Sequence, residues 1–343
     1  MEQHNCTTHL ALQGGGAHGA FTWGVLDRLL EEEWLSFEGI SGTSAGAMNA
    51  ALLACGYAQG GRQGAREKLH EFWSELGTRA SMSLISSEHE LSRQTGHGIE
   101  YSPLYQALMT LGWFLSPYQF NPLALDPLRE LVEQVIDFSV FSDPHTIRLH
   151  IATTRVRTGK IRVFENHELC PDVLLASACL PTVHHSVEID GELYWDGAYS
   201  GNPAIYPLLG QGKCDDIIIV LLSPLQIVRD PESAAEIRTR AQELAFSATF
   251  LREMRAITDI KERYGKSAFV LGKFERRVRD LKMHLIEAED LMNSLNHTSR
   301  LNTHTSFLEM LRDRGREYSQ TWLVENRHHL GKQTSVDLLT LFT

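Results

Sequence analysis

The chain has 343 residues, 43% of them apolar and 22% charged, with 26 Gly and 11 Pro. This is enough ordinary globular sequence to bury a sizeable core, and it excludes a small stapled scaffold, a fibre and wholesale disorder. The formal charge of −11 argues against nucleic acid as a partner, and against tight binding to anionic membranes without a local basic patch. Cys6, Cys55, Cys170, Cys179 and Cys214 are odd in number and include no CxxC pair, which argues against a disulfide framework or structural zinc.

The opening MEQHNCTTHL lacks a basic stretch followed by an apolar one, and no uncharged apolar run reaches about 18 residues. The expectation is a cytoplasmic chain, with signal-less secretion an equal fit. From Thr8 the pattern runs through His9-Leu10-Ala11-Leu12 and a glycine turn, Gly14-Gly15-Gly16-Ala17-His18-Gly19, into the apolar periodicity of Ala20 to Leu30: strand, turn, helix. Phe37 to Gly42 and Ala45 to Cys55 repeat the arrangement, with a tight turn at Gly42-Thr43-Ser44 and a helix expected to stop at Gly56. Two successive βα units predict a parallel sheet covered by helices.

Residues 60–125 are less periodic and read as a lid or interfacial insertion. Within them Tyr101 to Phe120 gathers Tyr101, Tyr105, Trp113, Phe114, Tyr118 and Phe120, a set that suits a lipid-facing element or ordinary core. Asp126 to Phe138 is expected as an amphipathic helix with Pro127 in its first turn. Ile147 to Val156 and Ile161 to Phe164 read as a hairpin around Thr158-Gly159. A small-residue helix from Val173 to Cys179 precedes a second hairpin, Val187 to Ile189 against Glu192 to Trp195, turned by Asp190-Gly191. Asp216 to Leu222 has the composition of a buried parallel strand. Pro231 to Tyr264 is expected as a long charged helix, Lys282 to Ile286 as a strand and Phe307 to Asn326 as a helix. No repeat or linker divides the chain, so residues 8–339 are expected to form a single α/β domain.

Three short motifs carry chemistry. Gly42-Thr43-Ser44-Ala45-Gly46 has the G-x-S-x-G form of a nucleophile elbow, in which a sharp strand-to-helix turn presents the serine hydroxyl beside a positive helix end. The pattern alone occurs by chance in about one chain in ten of this length, so its weight comes from its position. The amides of Gly14, Gly15, Gly16 and Ala17 suit either an oxyanion hole or a dinucleotide pyrophosphate, with Glu38 as ribose acceptor in the second case, or a plain turn. Asp196-Gly197-Ala198 ends an expected strand, where a carboxylate faces a crevice or a common turn forms.

The ordered set resembles the patatin-like phospholipase family, whose pattern is G-G-G-x-[RK]-G, G-x-S-x-G and D-G-[GA]. The likeness extends to Ala-Ser-Ala-Cys-Leu-Pro at 176–181 and Gly-Asn-Pro-Ala at 201–204. The resemblance implies a three-layer α/β/α fold with a mostly parallel central sheet. It implies a lipid acyl hydrolase that uses a Ser-Asp dyad, carried here by Ser44 and Asp196. The oxyanion hole would be at Gly14, Gly15, Gly16 and Ala17, with Gly19, Gly42, Gly46, Gly197 and Ala198 completing the motifs. Its substrate is a lipid or phospholipid met by transient membrane-surface contact, and neither metal nor organic cofactor is required; a homo-oligomer is left open.

Two positions depart from the pattern: His18 stands where the family commonly has Arg or Lys, and Gln13 where many members have Asp or Ser. An unperturbed aspartate is a poor base towards a hydroxyl, so the dyad requires Asp196 to be raised by burial, here beside Tyr194 and Trp195. Two alternatives remain: a non-catalytic lipid- or dinucleotide-binding protein, and a Ser-His-Asp esterase drawing on His284, His297, His304, His328 or His329. His184-His185 has no accompanying ligand at metal spacing.

Overall fold

The structure, a computed structural model, describes residues 5–81, 116–121, 126–210, 214–265, 272–295 and 297–343. The first βα unit joins β1 (Cys6–Leu12) to α1 (Gly19–Leu29), and the second joins β2 (Leu35–Thr43) to α2 (Ala45–Ser81). β1 and β2 pair in parallel. The expected helix stop at Gly56 does not occur. α2 breaks instead at Gly60-Gly61, where Gly61 has φ +62°, and Gly56 and Gly64 abut so closely that neither has room for a Cβ. Tertiary close approach, not helix termination, explains Gly56.

After α3 (Pro127–Val135), whose Asp126 carboxylate caps the Leu128 amide at 3.1 Å, come β3 (Arg148–Arg155), β4 (Ile161–Glu165) and α4 (Pro171–Ser177). β5 (Val187–Ile189) and β6 (Glu192–Asp196) form the expected hairpin, with Asp190 and Gly191 both at positive φ. β7 (Asp216–Val220), α5 (Ala234–Gly265), α6 (Lys273–Asp280), β8 (Lys282–Ile286) and α7 (Thr305–Asn326) follow.

The strand order is β5-β6-β3-β2-β1-β7-β8, with β4 on β3; the pairs among β3, β2, β1, β7 and β8 are parallel and the β4, β5 and β6 pairs antiparallel. Alternation along the central strands feeds two cores. Leu10, Leu12, Ile218 and Val220 pack with α1, α2, α3 and α7 on one face, while Ala11, Ile217 and Ile219 pack with α5 and α6 on the other. This is a three-layer α/β/α arrangement around a mostly parallel sheet.

Of the expected insertion at 60–125, residues 62–81 are the second half of α2, and Ala65, Leu69, Phe72 and Trp73 pack in the core. Tyr101, Tyr105, Trp113 and Phe114 lie outside the described residues. Among the described residues no helix is long and apolar enough to cross a membrane.

Candidate active site

Strand β3 acts as a ruler that sets Ser44 beside Asp196. Residues 150–154 of β3 pair with β4 along one edge. Along its other edge β2 ends with Thr43 opposite Ala152, and antiparallel β6 ends with Asp196 opposite Thr153. The residue after Thr43 therefore comes beside the last residue of β6, and the Ser44 hydroxyl lies close enough to the Asp196 carboxyl to act on its acidity.

The local sequence enforces this meeting. Ser44 has φ +55°, a left-handed conformation that costs a non-glycine residue about 1 kcal/mol or more and lifts the side chain off the strand line. A Cβ on Gly42 would sit 2.6 Å from the Gly46 carbonyl oxygen, and one on Gly46 would collide with the Leu12 carbonyl, so both motif glycines mark backbone contacts. Gly197 abuts the Ala152 carbonyl and has no room for a side chain, and Asp196 bends the chain away by accepting from the Ala198 amide at 2.8 Å. Gly19 packs against Ala45 at the start of the nucleophile helix.

Side chains outside the three motifs complete the frame. The Ser177 hydroxyl accepts from the Ser44 amide at 2.9 Å and donates to the Ala152 carbonyl at 2.7 Å. Thr43 Oγ1 donates to the Gly201 carbonyl at 2.7 Å. Thr154 Oγ1 hydrogen-bonds the Asp196 carbonyl at 2.8 Å. Asn202 Oδ1 accepts from the Gly14 amide at 2.7 Å. Gln13 bridges the ends of β1 and β7, donating to the Asn202 carbonyl and accepting from the amides of Leu222 and Ser223.

Asp196 is 1% exposed, and burial pushes its carboxyl up to about 7 against the opposing influence of the Ala198 amide bond and the nearby Ser44 hydroxyl. No cation among the described residues offsets the burial, which is the environment that turns a carboxyl group into a base at neutral pH. The glycine turn flanks the pair, with Gly14 packed against Ser44 Cβ. The Gly14 amide is committed to Asn202, whereas those of Gly15, Gly16 and Ala17 take no partner among the described residues.

The rival assignments find other uses. Glu38 lies in the first half of β2, bound to Arg148 at 2.8 Å and to the Cys214 amide, away from the glycine turn. Among the candidate histidines, His284 bonds Asp216 and Ser335, His304 caps α7, and the rings of His328 and His329 lie tilted against each other; none of these four bonds Ser44 or Asp196, and the His297 side chain lies outside the described residues. His18 is buried and hydrogen-bonded to Ser299.

An elbow serine at the C-terminal edge of a mostly parallel sheet, beside a carboxyl group and a glycine turn, is a layout of the kind that α/β hydrolases use. The chain belongs to the patatin-like phospholipase family, whose profile matches residues 10–209, a span that contains all three motifs. A structurally similar protein is VipD from Legionella pneumophila, 14% identical with a TM-score of 0.33, the alignment covering 92% of this chain and 67% of that one. Among curated proteins no sequence matches this chain.

Proposed function

We propose that this protein hydrolyses acyl esters of phospholipids or lysophospholipids through a Ser44-Asp196 dyad. The observation that carries the reading is the elbow hydroxyl of Ser44 set beside the buried carboxyl of Asp196, which burial pushes up to about 7. In the acylation step Asp196 takes the Ser44 proton as Oγ attacks the ester carbonyl. The tetrahedral oxyanion is received by the amides of Gly15, Gly16 and Ala17, and collapse expels the alcohol, which takes the proton from Asp196. Water then enters, gives its proton to Asp196 and attacks the acyl-enzyme. Fatty acid leaves as the proton returns to Ser44.

Gly14, expected as a fourth oxyanion donor, acts differently here: bound to Asn202, it fixes the turn that presents the other three amides. Asn202 and Ser177 are positioning residues, the first for this turn and the second for the Ser44 backbone.

The test is fatty-acid release from mixed micelles of phosphatidylcholine or lysophosphatidylcholine. The purified protein is expected to release fatty acid, and Ser44→Ala and Asp196→Asn each to lower the rate by at least about a thousand-fold while remaining folded. Turnover unchanged in either variant contradicts the dyad.

A further inference from the structure

The family pattern places a cation one residue before the last glycine of its first motif, and this chain has His18 there. A histidine carries no fixed positive charge, and this one is turned inward. Its ring is buried, its Nε2 is 2.7 Å from Ser299 Oγ, and it packs against Phe307.

The contact with Ser299 brings another side chain to the loop. Residues His297–Leu301 form a 3-10 turn laid across the glycine turn, with the Arg300 carbonyl occupying the space that a Cβ on Gly16 would need. Gly16 has φ +60°, so backbone conformation and the Arg300 contact both require glycine. The Arg300 side chain reaches Ser223 in the loop that follows β7, where Nη2 donates to Ser223 Oγ at 3.0 Å. Its Nε is buried and has no hydrogen-bond partner among the described residues. Burial lowers the Arg300 pKa, and Glu243 of α5 is the acid that opposes this.

The position of the guanidinium decides what it can bind. The glycine turn has β2 on one side and β7 on the other. Gly14 packs on Ser44, while Gly15 packs on Leu222 with 3.1 Å between its Cβ position and Leu222 Cδ1. The Ser223 contact holds the Arg300 side chain on the β7 side of the turn. A cation on that side, with its own backbone laid against Gly16, suits a second anionic group of a substrate whose ester carbonyl lies over Ser44. In a chain of net charge −11 such an anion needs a local cation, and a planar guanidinium matches phosphate geometry.

We propose that Arg300, delivered by the C-terminal segment, replaces the missing motif cation and receives the phosphodiester of a glycerophospholipid whose ester carbonyl lies over Ser44. The inference rests on the acyl-hydrolase reading for the identity of the ligand, so it is tested by binding rather than turnover.

The experiment measures, by titration calorimetry in a Ser44→Ala background, the dissociation constants of a short-chain diether glycerophosphocholine and of the matching dialkylglycerol without phosphate. Replacing Arg300 by Gln is expected to weaken the phosphate-bearing ether about ten-fold, the value of one charge-assisted hydrogen bond, and the neutral ether less than about two-fold. Arg300→Lys, which keeps the charge and loses the fork, should fall between. Glu243→Gln, which removes the competing acid, should tighten the phosphate-bearing ether about two- to three-fold. Thermal melting verifies that each variant folds. Equal loss for both ethers, no loss in Arg300→Gln, or no preference for the phosphate-bearing ether with Arg300 intact overturns the proposal. A protein that binds the phosphate-bearing ether selectively yet cleaves no ester contradicts the hydrolase reading and leaves this one standing.

Discussion

Asp196 and Asp216 are both buried, at 1% and 4% exposure, near opposite edges of the same sheet, and their acidities move in opposite directions. Burial raises both. For Asp196 only one backbone amide and a neutral hydroxyl oppose it, and the carboxyl stands at about 7. For Asp216 the burial is outweighed by a hydrogen bond from His284, one from the Gly331 amide at 2.7 Å and the charge of Lys282, and the carboxyl lies below its ordinary range. The Asp216 neighbourhood even imitates a catalytic triad, with His284 3.1 Å from both Asp216 Oδ1 and Ser335 Oγ. Yet His284 is fully buried, and the group ties the C-terminal segment to the start of β7 and β8. Satisfying a buried carboxylate makes a strut; leaving it under-satisfied makes a base.

The largest expected effect separates the two on activity. Per folded molecule, Asp196→Asn loses acyl hydrolysis by about a thousand-fold or more, whereas Asp216→Asn and Ser335→Ala retain it, as measured by fatty-acid release. Loss in the Asp216 or Ser335 variants would move the chemistry to the Asp216-His284-Ser335 group.

Stability should then change with opposite signs. The Asp196 carboxyl is raised from 3.8 to about 7 on folding, so the native state is penalised as pH rises through that window and fully so above it. Asp196→Asn should therefore be more stable than the parent at pH 8, by roughly 4 kcal/mol at most, and equal to it near pH 4. The lowered pKa of Asp216 gives the reverse sign: its contribution is present above the ordinary carboxylate range and is lost as pH falls through the depressed value. Asp216→Asn should cost about 1–3 kcal/mol at pH 8, with the difference shrinking in acid. Denaturant midpoints at the two pH values check both signs.

The smallest effect concerns the elbow. Because Ser44 is held at φ +55°, Ser44→Gly should be more stable than Ser44→Ala by about 1 kcal/mol, although both are inactive. Equal stability would mean that the turn is unstrained.

Much of this arrangement was legible in the sequence. The βα units announced a parallel sheet, and the family resemblance carried by the three motifs singled out Ser44 and Asp196 as the candidate pair. Alternation and turn residues placed the Asp190-Gly191 hairpin and β8. The sequence did not reveal the close approach that makes Gly56 a helix interior position, because that depends on Gly64 across a turn. It also gave no role to Ser177, Asn202 or Gln13, whose hydrogen bonds cross between elements far apart in the chain. The flanks Ala176 to Pro181 and Gly201 to Ala204 were the available signal, since each carries one polar residue among small ones. Arg300 had no signal at all. Nothing in its neighbours marks a segment that folds back onto the first glycine turn.

The most direct test of the central claim is the pH dependence of Ser44 labelling by a fluorophosphonate, followed by mass spectrometry of the modified peptide in the parent and in Asp196→Asn. If Asp196 is the base, labelling rises with pH through a midpoint near 7, as the carboxyl loses its proton, and collapses in the folded Asn variant at every pH. Labelling that is flat between about pH 5 and 9, or that persists in Asp196→Asn, contradicts the assignment.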